Sequence, residues 1–113
     1  MQDVIQTKPG LIVEESRNAL QGIRRTLIEM YSAVGANPEK PQEVARKYGL
    51  NRNLTWKLSR VMTAQDPFSA LNHLPGQQGM DLAVAAFEKA GAPTDLLDQV
   101  RDSMKRFIEV VDQ

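Results

Sequence analysis

The sequence predicts an all-α protein of about six helices. Apolar residues recur at spacings of three and four through most of the chain, which places them along one side of successive helices. The 7 glycines and 6 prolines fall mostly between these periodic segments, where they start or end helices. No segment shows the alternation of apolar and polar residues that is typical of a β-strand. With 113 residues, 42% of them hydrophobic, the chain can form one packed domain.

The first predicted element is a long helix over residues 11–35, preceded by a flexible lead-in at residues 1–10. Gly35 suits the C-terminal cap of this helix. Its apolar stripe has two interpretations. The stripe packs on the rest of the domain or, because a helix of about seven turns is long for a small domain, it forms the seam of a homodimer. The seam would consist of Leu20, Ile23, Leu27, Met30 and Val34.

Two shorter helices are predicted within residues 41–63. Pro41 is favoured in the first turn of a helix, and Gly49 ends the helix that Pro41 begins. Asn51 can cap the next helix, over about residues 52–64, which contains neither glycine nor proline. A tight turn therefore joins the two helices.

Residues 66–113 are predicted to form three further helices. Asp66-Pro67 is a good start for the first of them, and Leu74-Pro75-Gly76 and Gly91-Ala92-Pro93 separate the three. The predicted architecture is a single domain over residues 11–113. In it the helix pair at 41–63 packs between the long N-terminal helix and the C-terminal helices.

Charge is distributed unevenly, although 14 basic and 14 acidic residues cancel over the whole chain. Residues 40–62 contain six basic residues and one acidic residue, a net charge of +5, whereas the segments before and after are net negative. A local excess of positive charge is typical of proteins that bind nucleic acid, because it neutralises phosphates.

Several classes of function are not expected. The chain has no cysteine, and His73 is its only histidine, so neither a cysteine-based or histidine-based metal site nor a Ser/His/Asp triad can be assembled. We therefore expect no enzyme activity, no cofactor and no metal. The N-terminal residues lack the features of a signal peptide, and no apolar run approaches the roughly 18 residues of a membrane span. The expectation is a cytoplasmic protein with no membrane contact.

The helix pair at 41–63 resembles the helix-turn-helix of prokaryotic DNA-binding proteins. Ala45 provides the small residue inside the first helix, and Gly49 follows it by four positions. Thr55 departs from the pattern, which usually has an aliphatic residue there, and Leu54 can replace it. The inward apolar residues are Val44, Tyr48, Leu50, Leu58 and Val61.

The resemblance implies binding of double-stranded DNA, with the second helix in the major groove. Arginine can pair with guanine and asparagine with adenine, whereas lysine mainly contacts phosphate. In such proteins the end of the first helix contacts the DNA backbone, which here assigns that role to Arg46 and Lys47. The positions that match the reading face of the second helix are Asn51, Arg52, Asn53, Trp56, Lys57 and Arg60.

Trp56 is an unusual residue for the middle of a polar helix face. Either it contacts DNA, or the segment 67–75 or a second subunit covers it. The expected function is a DNA-binding transcriptional regulator or the N-terminal DNA-binding domain of a longer one. The alternative is a helical interaction or dimerisation module without DNA binding, which would use the stripe of the first helix and the surface around Trp56.

Overall fold

The computed structural model contains six helices, and it describes the side chains of residues 13–111. They are α1 (Gln2–Ala33), α2 (Pro41–Tyr48), α3 (Arg52–Thr63), α4 (Pro67–Leu71), α5 (Gln77–Lys89) and α6 (Thr94–Val111). The predicted all-α class is confirmed, and residues 13–111 include no strand. The predicted flexible lead-in at residues 1–10 lies outside the described residues.

Helix α1 is the central element of the fold, since it contacts α3, α4 and α6. Its longest packing surface is with α6, where the hydroxyl of Ser103 lies 3.5 Å from the carbonyl oxygen of Gly22. No helix in the described part of the chain is both long and apolar enough to cross a lipid bilayer.

The proposed dimer seam on α1 is wrong, because its residues belong to the core of the same chain. Leu20, Ile23, Leu27 and Met30 are completely buried, and Val34 packs partly buried against the same core. The four completely buried side chains have no accessible surface left for a second copy. The interpretation in which the stripe packs on the rest of the domain is the correct one.

An aromatic cluster joins α1, α2 and α5. The ring centroid of Phe87 lies 4.8 Å from that of Tyr31 and also 4.8 Å from that of Tyr48. The Tyr48 hydroxyl donates a hydrogen bond of 3.3 Å to the carbonyl oxygen of Val34. Burial raises the pKa of Tyr31 well above its usual value, and the neighbouring Tyr48 raises it further. The cluster positions α2 against the core.

Two polar interactions fix the ends of α3 and α4. The Arg24 guanidinium, from α1, donates hydrogen bonds to the carbonyl oxygens of Val61 and Ala64 at the end of α3. Asp66 accepts hydrogen bonds from the backbone N–H of Ser69 at 3.0 Å and from its hydroxyl at 2.7 Å, and so caps α4. These bonds lower the pKa of the Asp66 carboxyl.

Candidate nucleic-acid interface

The turn between α2 and α3 is three residues long and begins with a left-handed glycine. Gly49 has φ 67° and ψ 34°, a conformation in which a Cβ is costly. Its backbone N–H and that of Leu50 both donate to the carbonyl oxygen of Ala45, the latter at 2.9 Å. Ala45 is itself buried, so the small side chain allows the two helices to approach each other closely.

Helix α3 starts with a side-chain cap. The Oδ1 atom of Asn51 accepts a hydrogen bond of 2.7 Å from the backbone N–H of Asn53. The carbonyl side of the Asn51 amide is therefore occupied within the chain. Its NH₂ group, on an exposed residue, remains the part that can face a ligand.

Thr55, which departs from the usual helix-turn-helix pattern, shows which side of α3 faces the core. Both Thr55 and Leu54 are buried, with Thr55 only 1% exposed. The Thr55 hydroxyl donates a hydrogen bond of 3.1 Å to the carbonyl oxygen of Arg52, which satisfies its polar group inside the protein. A threonine is therefore accommodated at this inward position, and the opposite side of α3 faces outward.

All eight residues predicted to bind DNA lie on α2, on α3 or in the turn between them. Lys57 is half-buried, and the other seven are exposed. The exposed residues are Arg46, Lys47, Asn51, Arg52, Asn53, Trp56 and Arg60.

Five of these residues line two adjacent shallow grooves. Arg46 and Arg52 lie along the groove between α2 and α3, together with Gln42 and Leu50. Asn51, Asn53 and Lys57 lie along a second groove, whose other wall is the start of α5 from Pro75 to Leu82. The start of α3 lies between the two grooves, so polar and cationic groups are present on both sides of it.

The cations on this surface are largely unpaired. Among residues 13–111 the ion pairs are Lys40–Glu43, at 3.5 Å, and Arg101–Asp98, at 3.3 Å. The single acidic residue of the basic segment is thus engaged by Lys40. Within the described part of the chain, no carboxylate lies at ion-pair distance from the five remaining cations of α2 and α3, namely Arg46, Lys47, Arg52, Lys57 and Arg60.

Trp56 is partly covered and partly open. The Arg60 guanidinium carbon lies 5.2 Å from the centroid of the Trp56 ring, and the His73 ring meets the indole edge-on at 5.2 Å and 87°. His73 belongs to the segment 67–75, which was one of the predicted covers. The cover is incomplete, because 42% of the Trp56 surface remains exposed.

Comparison with known protein families, with curated proteins and with solved structures found no match for this chain. Two supporting contacts have no signal in the sequence: the His73 ring packs against Trp56, and Arg24 anchors the end of α3.

Proposed function

We propose that the chain binds double-stranded DNA by placing α3 in the major groove, as a transcriptional regulator or as the DNA-binding domain of one. The observation that carries this proposal is the group of unpaired cations around α3. Arg46, Arg52, Lys57 and Arg60 lie on one surface without a carboxylate partner among the described residues. Phosphates are the natural counterions for such a group, because their neutralisation releases condensed cations from DNA.

The geometry of α2 and α3 supports the major groove as the docking site. A short helix, a three-residue turn and a second helix with one exposed face form the unit that inserts a helix into that groove. In this arrangement Arg52 and Asn53 face base edges, while Arg46 and Lys47 face the phosphate backbone.

Fluorescence anisotropy with labelled random-sequence duplexes tests this proposal. We expect binding at about 50 mM salt that weakens steeply as salt is added, with a log–log slope of about −3 to −4 if four phosphates are neutralised. The double substitution Arg52→Ala and Lys57→Ala removes one base contact and one phosphate contact, so binding should weaken and the slope should fall by about one.

A charge-matched control distinguishes this surface from the protein's overall charge. Arg101→Ala with Lys105→Ala also removes two exposed cations, but from α6, which packs against α1 and α5. We expect this variant to bind DNA as the wild type does. Undetectable binding of the wild type at low salt, or equal losses in the two double variants, would contradict the proposal.

One observation still favours the alternative function, a helical module that binds another protein. Its α1 stripe is buried in the core, but the half-open surface of Trp56 is available to another protein. In that case Trp56→Ala would abolish capture of a protein partner, while removal of Arg52 and Lys57 would have little effect on it.

A further inference from the structure

Trp56 is held in a fixed position in the middle of the cationic surface. Arg60 lies over the face of the indole and His73 against its edge, both at 5.2 Å. These two neighbours come from different elements, α3 and the connection between α4 and α5. A side chain held from two sides loses little conformational freedom on binding, so its open surface is already arranged for a ligand.

The side chain of Trp56 is largely apolar, whereas its surroundings are charged or polar. Arg52 and Arg60 lie one helical turn before and one turn after it on α3, and Asn53 lies beside it. A wholly apolar partner would have to desolvate these groups without pairing them. The ligand that suits this surface is therefore anionic overall, with a small apolar group at its centre.

Duplex DNA has this combination in its major groove. The thymine C5-methyl is the apolar group displayed there, and phosphates flank it on both sides. We propose that Trp56 contacts thymine methyl groups and makes the surface selective for thymine opposite the second turn of α3. This inference rests on the proposed DNA-binding function and adds a residue that selects sequence through an apolar contact.

Replacing thymine by uracil tests the inference, because it removes only the methyl group and leaves base pairing intact. Random duplexes of about 20 base pairs are enriched by repeated binding to the full chain at moderate salt. The enriched pool is then amplified once with thymidine triphosphate and once with deoxyuridine triphosphate, and the affinities of the two pools are compared. We expect the wild type to prefer the thymine pool by about fourfold for each methyl group removed from water.

Three variants test whether the preference comes from Trp56. In Trp56→Ala the ratio of the two affinities should approach one, whatever the absolute affinity. Ile28→Ala is the matched control, since Ile28 has nearly the same exposed fraction, 43% against 42%, but lies on α1. This variant should keep the wild-type ratio. Trp56→Gln serves as a second truncation, and circular dichroism verifies that each variant is helical.

The outcomes separate the two proposals. If the wild type binds both pools equally, or if Trp56→Ala keeps the preference, the thymine contact is wrong while DNA binding stands. If neither pool is bound at low salt, both proposals fail. A preference that disappears in Trp56→Ala and Trp56→Gln but persists in Ile28→Ala supports the inference.

Discussion

The Nε atom of Arg24 on α1 donates a hydrogen bond of 3.1 Å to the carbonyl oxygen of Val61 in the last turn of α3. The same guanidinium also donates to the carbonyl oxygen of Ala64, the residue that ends α3. Carbonyl groups at the end of a helix have no partner inside the helix, and a cation there also interacts favourably with the helix dipole. One side chain therefore fixes the end of the proposed recognition helix to the central helix of the fold.

Arg24→Ala should lower the free energy of unfolding by about 1.5–3 kcal/mol, the usual contribution of hydrogen bonds from a charged donor. The stability of Arg24→Lys should lie between that of the wild type and that of Arg24→Ala, because one ammonium group does not reproduce the fork of the guanidinium. Urea unfolding followed by circular dichroism measures the change. The neighbouring Arg25 is exposed, so Arg25→Ala is the control and should change stability little. Equal losses in Arg24→Ala and Arg25→Ala would contradict this role.

The helices could be predicted from the sequence because their signals are local. Helical periodicity and residues such as Pro41 and Gly49 mark where helices start and end, and the observed bounds of α2 agree with them. The packing partner of the α1 stripe could not be predicted, since an apolar stripe has the same pattern whether it packs against the core or against a second subunit. Only the contact of α1 with α6 decides that the core is the partner.

The candidate site was predictable in part for the same reason. The eight residues proposed for DNA binding are defined by their spacing along residues 46–60, and in the structure seven of them are exposed and Lys57 is half-buried. The contact between His73 and Trp56 depends on how the connection after α4 folds back, which no local pattern specifies. The sequence does not specify that Thr55 points inward either. That position depends on the hydrogen bond from its hydroxyl to the backbone carbonyl of Arg52, which only the structure shows.

Gly49→Ala should destabilise the protein by about 1 kcal/mol, because an alanine at φ 67° is strained even where space is available. Gly22, inside α1, is a suitable control. Its φ is not positive, and an added Cβ would meet only the Ser103 hydroxyl, at 4.0 Å. Thermal unfolding should show a lower midpoint for Gly49→Ala and an unchanged or higher midpoint for Gly22→Ala, since alanine favours a helix over glycine. Equal midpoints for the two variants would show that the left-handed turn is not needed.

Stability should fall in alkaline solution because of Tyr31. The folded state raises the pKa of its phenol above the usual value of 10.0, mainly through burial, and so favours the neutral form. The contribution of Tyr31 to stability is complete below the pKa that the phenol has in the unfolded state. It is lost as the pH rises from there toward the pKa of the folded state, since the unfolded state then releases its proton first. Urea unfolding across about pH 8–11 measures this decline. In Tyr31→Phe the decline should be smaller; an unchanged slope would exclude Tyr31 as its source.

Trp56 is the only tryptophan, so its fluorescence reports the candidate interface without a label. With 42% of its surface exposed, acrylamide should quench the free protein readily. Addition of duplex DNA should reduce the quenching constant by about half or more, because interface residues are removed from solvent. His73→Ala should increase quenching in the free protein, since it removes the ring that covers one edge of the indole. Quenching that DNA leaves unchanged would place Trp56 outside the interface.

The packing of α1 against α6 also determines the order in which the chain can fold during synthesis. Ser103 and Gly22, which meet across these helices, are 81 residues apart in sequence. At translation rates of about 5–20 residues per second, α1 leaves the ribosome several seconds before α6 exists. During that interval the apolar stripe of α1 lacks the helix that later covers much of it, so the nascent chain presents a binding surface for chaperones that the finished protein does not have.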